Sequence, residues 1–468
     1  MLPAMESRPS EPRPAKCPEP HDSAVGIVVR DRPSGWEVLL GLRSRHSRFL
    51  PGNWAFLGGR LEAADAASGD DPHRRCASRE VAEETGLEIE PAAWIDAGTL
   101  VTPPLYPLRY RSRFFLARAP EGWRPPDPPP IPEEIEALRM VSAGEVLRQW
   151  RAGEVVAAPI LPPLLEVLAA GAAGEALEAR AAALELACRR QEDCHRIEFV
   201  PGIWCYPLES RTLPPATHTN AWIPGATRCV LIDPGSDVPA QLARLEKVVE
   251  RRRSEGADLI AVVLSHHHPD HVAGAVWSAQ RWGVPLWAHR QTLDRLELPG
   301  ALPVAPLTDG AWIDLGGIDL EVLATPGHAP GHLVFHCPTR SAVVCGDLAS
   351  RLSTILIDPS DGGEMDAYLS SLERVAALEP TWLFPAHGPP LPGRALARLI
   401  EHRLDRQRQV EQALGAFPRS LREIAGQAYR DTPSAAWSLI ETQTLAHLQH
   451  LESQGRAHRY SGGWQRGR

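Results

Sequence analysis

Between Leu264 and Ala275 the chain reads LSHHHPDHVAGA, which places four groups able to bind a metal, His266, His268, Asp270 and His271, within six residues. Imidazole and carboxylate are ligands for zinc and similar divalent ions. Left buried without partners, such polar groups cost roughly 2–7 kcal/mol each, so a fold that contains this run must present it at an open edge with a cation or water to satisfy it. The preceding run, ADLIAVVLS, is continuously apolar up to Ser265 and reads as a buried strand that delivers the histidines to a sheet edge.

At 468 residues the chain exceeds what one core supports, and two to four domains are expected. A net charge of -9 argues against a protein whose whole surface grips nucleic acid, while leaving room for local basic patches. No apolar run approaches the roughly 18 residues of a membrane span, and the opening MLPAMESRPSEPRPAK lacks the apolar core of a signal peptide. The eight cysteines form no CxxC pair, so reduced thiols and a cytoplasmic location are expected, with no membrane partner.

Residues 1–21 are expected to be a disordered tail. A first domain over 22–170 opens with two strand-like runs, AVGIVV and WEVLLGL, separated by DRPSG, and carries a helix over Pro72–Thr85 and a Pro-dense surface loop over 120–132. The Ala-, Leu-, Glu- and Arg-rich stretch from Gly171 to Gln191 reads as a helix within a linker, 171–194. A second domain over 195–392 alternates strands such as RCVLIDPG and LEVLATPG with helices such as VPAQLARLEKVVERRRSEG, the signature of an α/β layered fold. Short helices and a two-stranded wing fill 393–468.

Further candidate ligands follow strand-like runs: His328 in TPGHAPGH, Asp347 in VVCGDL and His387 in LFPAHG. The order HxHxDH, H, D, H resembles that of the metallo-β-lactamase superfamily, from about His195 to Pro392. The resemblance implies an αββα sandwich in which His266, His268 and His328 hold one metal, Asp270, His271 and His387 hold a second, and Asp347 bridges them. It places Asp233, in CVLIDPGS, behind the ligands as a support. Two zinc ions, or manganese or iron, would activate a bridging hydroxide for attack on an ester, thioester or phosphodiester, with Asp270 counted among the catalytic residues. Asp270 also has a competing role as a carboxylate that only orients the histidines, and His332 is open between positioning substrate and hydrogen bonding behind the ligands.

Fold alone does not fix a substrate. The stretches LIEHRLDRQRQVEQAL, REIAGQAY and LAHLQHLESQGRAHRY resemble the small winged-helix domain of the β-lactamase-like protein 2 family, and STILIDPSDGG and PAHGPPL are also similar to that family. Glyoxalase II shares the metal motif but carries a different C-terminal extension for glutathione. Since the β-lactamase-like protein 2 family includes single-strand endoribonucleases, the resemblance makes RNA a candidate partner. From Leu391 onward twelve Arg stand against seven Asp plus Glu, a local balance that suits a polyanion. Winged helices also serve as dimerisation elements, which leaves a homodimer open.

A second motif lies upstream. In REVAEETGL, Arg79 to Leu87, the residues Glu80, Glu83 and Glu84 share one helix face and would repel unless a cation lies among them. Oxygen donors of this kind suit magnesium or manganese. With Gly58 and Gly59 ahead of it, the run resembles the Nudix box, although Asp65 stands where Glu is usual and thirteen residues rather than seven separate it from Arg79. These departures, together with EEIEALRMVSAGEVLRQWRAGEVVAAPI, resemble the branch containing coenzyme A diphosphatases. The resemblance covers about 22–170 and implies an α/β/α sandwich in which Glu80, Glu83 and Glu84 bind metal and Glu80 and Glu84 act in catalysis.

The chain is therefore expected to be an α/β protein with a Nudix sandwich, a metallo-β-lactamase sandwich and a winged helix in that order. Its expected activity is hydrolysis at both sites, of a phosphorylated or thioester small molecule such as a coenzyme A derivative. The alternative is a single-strand endoribonuclease in which the Nudix domain is a nucleotide-binding sensor.

Overall fold

The computed structural model describes residues 17–33, 35–47, 49–66, 71–172, 174–193, 196–432 and 436–467. The disordered tail expected over 1–21 falls largely outside these residues, as do His195, where the second domain was expected to begin, and Ala67 to Asp70 of the lengthened loop. Among the described residues the first strand begins at His21.

That strand, His21–Arg32, is the spine of a seven-stranded mixed sheet. It pairs antiparallel with Gly35–Arg43 and parallel with Tyr110–Arg118. Its side chains alternate between two cores, as the pleat requires: Ala24 and Val28 face helix Pro72–Thr85 through Cys76, Ala77 and Val81, while Ile27 and Val29 face helices Ala143–Arg151, Leu161–Ala169 and Leu177–Asp193. Helices on both faces make the α/β/α sandwich.

The last of these helices corrects the linker reading. Leu177–Asp193 buries Ala181, Leu184 and Cys188 in the first core, and Gly98 leaves room for the Cys188 side chain, which would lie 2.8 Å from a Cβ added there. The small residues that made the segment look like a spacer allow its close approach to the sheet.

The next unit has two facing sheets, seven strands in order from Val304–Leu307 through Asp258–Val263 and Arg228–Ile232 to Ile197–Val200, and six from Trp312–Ile313 to Leu391–Pro392. Val230, Ile232, Ala261 and Val263 point into the core between the sheets, against Leu320, Val322, Phe335, Val344 and Phe384. The alternate residues Cys229, Leu231, Val262 and Leu264 point outward beneath helices Pro239–Ser254 and Ala275–Trp282. Burial on both faces explains why these strands read as unbroken apolar runs. Helix Met365–Ala376 covers the opposite sheet, completing the αββα sandwich.

Helices Ala395–Ala413, Leu421–Ala428 and Trp437–Ser453, with the hairpin Ala457–Tyr460 and Gly463–Arg466, enclose a separate small core around Val410, Ile424, Leu448 and Trp464. A capping box between Ser420 and Glu423 starts the middle helix. The first two units also touch: Leu105 and Tyr106 are buried in the core of the two-sheet unit, and Phe49 and Leu50 pack against it. No helix among the described residues is long and apolar enough to cross a membrane.

Candidate active sites

Every expected ligand of the central unit leaves the C-terminal end of a strand. His266, His268, Asp270 and His271 follow Asp258–Val263, His328 follows Leu320–Ala324, Asp347 follows Ala342–Gly346 and His387 follows Trp382–Pro385. The loops meet because Ala342–Gly346 and Trp382–Pro385 are parallel neighbours, Leu320–Ala324 lies across one intervening strand of the same sheet, and Asp258–Val263 belongs to the sheet that faces it. Gly235 lets the loop after Arg228–Ile232 pass against the ligand loop, for a Cβ there would collide with the Asp270 carbonyl oxygen. A Gly235→Ala substitution is expected to destabilise the protein by about 1–3 kcal/mol through forced backbone displacement, read as a lower chemical-denaturation midpoint.

The orientation of the five histidines is fixed from outside. Asp233, held at φ 52, accepts from the Ser265 N–H at 2.8 Å and hydroxyl at 2.6 Å and lies 2.9 Å from His271 Nδ1. His266 Nδ1 is 3.0 Å from the Ser265 hydroxyl oxygen, His328 Nδ1 donates to the Leu356 carbonyl oxygen at 2.7 Å, and His387 Nδ1 to the His218 carbonyl oxygen at 3.0 Å. For His268 the outer nitrogen is Nε2, 2.8 Å from the Asp361 carboxylate. Each imidazole thus sets one ring nitrogen against an outer oxygen and turns the other inward.

Those inward nitrogens converge. His266 Nε2 and His268 Nδ1 are 2.9 Å apart and His268 Nδ1 and His328 Nε2 3.0 Å. Asp347 stands between the two groups, 3.5 Å from His328 Nε2, 3.7 Å from His271 Nε2 and 3.4 Å from His387 Nε2. Asp270 lies 3.3 Å from His387 Nε2 and 4.0 Å from His271 Nε2. Four ligands around a cation at about 2.0–2.1 Å sit about 3.3 Å from one another, which is the spacing of these donors. His271 Nε2 and Asp347 Oδ1 are buried and have no hydrogen-bond partner. Imidazole nitrogens and carboxylate oxygens gathered at this spacing form a donor set that fits divalent cations. The groups His266, His268, His328 and Asp270, His271, His387 each have donor atoms within 4.8 Å of one another.

Burial pushes the ring of His266 far below its usual pKa and that of His328 down to about 4, keeping both neutral as ligands. Burial alone would lower His271 too, but the carboxylates of Asp270, Asp347 and Asp233 together raise it well above its usual value. This excess of carboxylate around one imidazole is the charge that a cation would balance. His332, open between two roles in sequence, is wholly buried: it lies 2.8 Å from the Thr325 hydroxyl and accepts from the Asp347 N–H at 3.2 Å, so it holds the backbone of Asp347. Sequence reasoning missed Asp361 and Ser265. Asp361 lies in the quoted phrase DPSDGG, but its contact with His268 spans 93 residues and leaves no local signal.

The upstream helix starts as expected, with Asp71 accepting from the His73 N–H at 3.0 Å and Pro72 in its first turn. Asp65, despite its short arm, receives two hydrogen bonds from Arg79 at 3.2 and 3.1 Å. Arg79 NH groups also reach the Arg60 carbonyl oxygen at 3.1 Å, Glu80 at 2.8 Å and Glu83 at 3.1 Å, tying loop to helix. Glu84 accepts from the Gly58 N–H at 3.2 Å. Gly58 stands at φ 152 with the Ala24 carbonyl oxygen where a Cβ would lie, and a Cβ at Gly59 would strike the Glu80 carboxylate, which accounts for both glycines.

Glu80 and Glu84 face one cavity of about 360 Å³, but Glu83 does not line it. Its side chain is half exposed and turned to Arg79, so the structure does not gather the three glutamates as the helix spacing suggested. Instead Glu134, from the end of the Pro-rich loop and not singled out in the sequence, lines the cavity with them. Burial, then repulsion by Glu80, raises Glu84 to about 8, with Glu134 contributing. Aromatic rings of Phe49, Tyr106 and Tyr110 stand 5.2–5.3 Å apart in the wall, and Ile197 of the next unit closes it.

Comparisons with known proteins agree with this architecture. Family models match the NUDIX domain at residues 20–161, the metallo-beta-lactamase superfamily at 215–387 and the beta-lactamase associated winged helix domain at 420–464. The chain is 26% identical over 252 residues to a beta-lactamase-like protein 2 homolog of Drosophila melanogaster, covering 51% of this chain and 83% of the relative. It is 30% identical over 198 residues to a hydroxyacylglutathione hydrolase of Aeromonas hydrophila, covering 41% and 69%. A beta-lactamase domain protein from Burkholderia ambifaria shares the fold, with a TM-score of 0.50, 23% identity, and coverage of 58% of this chain and 93% of that one.

Proposed function

From the premise that this chain belongs to the metallo-beta-lactamase superfamily, with a Nudix domain before that fold and its associated winged helix after it, we propose that this metal-dependent hydrolase uses two distinct centres on coenzyme A thioesters or related compounds. The central domain cleaves the thioester and the Nudix domain the diphosphate. The observation that carries the central reading is the inward convergence of five histidine nitrogens and two carboxylates, every outer histidine nitrogen being already tied to an oxygen.

Two divalent cations bound there, zinc, manganese or iron, would supply Lewis acidity toward the carbonyl oxygen and lower the pKa of the attacking water. His266, His268 and His328 would hold the first cation, Asp270, His271 and His387 the second, and Asp347 stands between the two groups. His332 and Asp233 keep Asp347 and His271 in place. In the Nudix domain Glu80, Glu84 and Glu134 would hold magnesium or manganese, Arg43 and Arg60, both in the cavity wall, would meet the phosphate oxygens, and Glu84 would take the proton of the attacking water. Buried free thiols fit a reducing cytoplasm.

The cavity over Glu80 and Glu84 supports a diphosphate ester that carries a further apolar or ring-bearing group. Ile197→Trp would fill its far wall, and overpacking of this kind costs about 1–3 kcal/mol. The expected result is a KM for diphosphate substrates raised about tenfold or more, read beside the denaturation midpoint because Ile197 also packs in the core of the two-sheet unit.

A second reading is an endoribonuclease with the Nudix domain as nucleotide sensor. It is favoured by Phe417, 80% exposed, Tyr460, 51% exposed, and Trp437, 47% exposed, with Arg422 over the Trp437 ring at 4.9 Å, since exposed rings beside arginine suit unstacked bases. Purified protein assayed against acyl-coenzyme A, nucleoside diphosphate derivatives and single-stranded RNA separates the two. The first reading expects thioester turnover abolished by His268→Ala and diphosphate turnover abolished by Glu84→Gln; RNA cleavage without thioester turnover contradicts it.

A further inference from the structure

Of the five outer hydrogen bonds that orient the ligand histidines, one depends on a segment that cannot hold itself. His328 Nδ1 donates to the Leu356 carbonyl oxygen at 2.7 Å, and residues 354–358 around it have no regular secondary structure. A carbonyl on an irregular, buried stretch stays fixed only if neighbouring backbone groups find partners elsewhere. Both flanking groups are taken by side chains of the winged-helix unit. The Arg403 guanidinium, on Ala395–Ala413, donates to the Ile355 carbonyl oxygen. Gln443, on Trp437–Ser453, accepts the Ile357 N–H through Oε1 at 3.2 Å.

These are deeply buried polar groups, Arg403 at 3% and Gln443 at 6% exposure, and each spends a costly burial on one backbone atom beside Leu356. Arg403 also lies over the Tyr368 ring at 4.9 Å, and the Tyr368 hydroxyl donates to the Leu348 carbonyl oxygen at 2.8 Å, next to Asp347. The packing is continuous here, since Ala446 of the last helix shares a core with Ile355 and Ile357.

We propose that Arg403 and Gln443 are positioning residues for the first cation position. The winged helix clamps Ile355 to Ile357 so that the Leu356 carbonyl oxygen holds His328 with Nε2 turned inward. The unit therefore builds the site as well as following it in sequence. This inference rests on reading the convergent donors as a cation site.

Partners one step behind a metal ligand are worth about 10–100-fold in metal affinity. Full-length protein titrated with zinc(II) against a chromophoric chelator is expected to show the first-position cation about tenfold weaker in Arg403→Met and Gln443→Met, with the second position within about twofold of wild type. Gln443→Glu, which keeps an acceptor at the same reach, restores the affinity. Gln407→Met is the control for general loosening, because Gln407 is buried in the same unit but bonds His447 and not the 355–357 segment. Nitrogen-15 spectra of the metal-free proteins supply a readout without zinc: His328 keeps its proton on Nδ1 in wild type and becomes a tautomer mixture in the two Met variants.

Unchanged zinc affinity and an unchanged His328 tautomer in both Met variants overturn the clamp. So does an equal loss in Gln407→Met, which reduces the effect to stability. Wild-type protein that takes up no zinc contradicts the cation site instead, and the metal-free spectra then decide the clamp by themselves.

Discussion

Asp347→Asn is expected to lower thioester hydrolysis on the order of 10³-fold while leaving diphosphate hydrolysis intact. Asp347 is the residue whose carboxylate faces both donor groups, at 3.5 Å from His328 Nε2 and 3.4 Å from His387 Nε2. An amide of the same shape turns one of its two oxygens into a donor, which points N–H at a position built entirely of acceptors. Polarisation of a carbonyl by metal is worth several kcal/mol of transition-state stabilisation, and each 1.36 kcal/mol is tenfold in rate. Steady-state kinetics on acyl-coenzyme A check the loss, and a variant within tenfold of wild type would remove Asp347 from the centre. The fold is expected to survive, because the Asp347 N–H contact with His332 does not depend on the carboxylate.

Glu84→Gln carries the second large effect, a fall of about 10²–10⁴-fold in diphosphate hydrolysis, the usual contribution of a positioned acid or base. Glu84 is 4% exposed, and it is the glutamate of the helix that the Gly58 N–H addresses directly. Burial together with Glu80 lifts its pKa to about 8, so without a cation the carboxyl is largely protonated at neutral pH. A divalent ion between Glu80, Glu84 and Glu134 reverses that by favouring the charged form. Activity is therefore expected to require magnesium or manganese. Glu83→Gln, whose target points at Arg79 outside the cavity, is expected to stay within about threefold of wild type, a much smaller effect than general acid or base removal. Kinetics on a nucleoside diphosphate derivative test both, and equal losses in the two variants would restore Glu83 to the site.

Much of this was legible in the residues, and the part that was not has a physical cause. The ligand histidines could be found because a motif concentrates them and because the strands that end on ligands are largely apolar and buried, Asp258 and Glu321 being their polar residues. The helix Pro72–Thr85 has the bounds read from the sequence, and its ends rest on local chemistry, Asp71 capping the start and Gly86, left-handed at φ 69, the end. What escaped is what is made by contact over distance. Two of the five outer partners of the histidines are backbone carbonyls, of His218 and Leu356, which any residue type could supply, and a third is Asp361, far along the chain from His268.

The misreadings have the same origin. The spacing of Glu80, Glu83 and Glu84 implied one face, but a helix face is wider than a cavity mouth, and Arg79 draws Glu83 aside. Leu177–Asp193 has the composition of a spacer, yet its small residues are what bring it close to Gly98 and into the first core. Gln443 and Arg403 read as members of a polar, Arg-rich tail, and only their burial beside Ile355 and Ile357 reveals a structural task.

The central claim is that seven side chains from one sandwich form a two-cation hydrolytic centre. Its most direct test is the metal content, by mass spectrometry, of full-length protein loaded with zinc and dialysed against metal-free buffer, measured in parallel for wild type and His266→Ala. The account predicts two equivalents per chain in wild type and a loss of at least one in the variant. Fewer than one tightly held equivalent in wild type, or equal content in the two proteins, would contradict it.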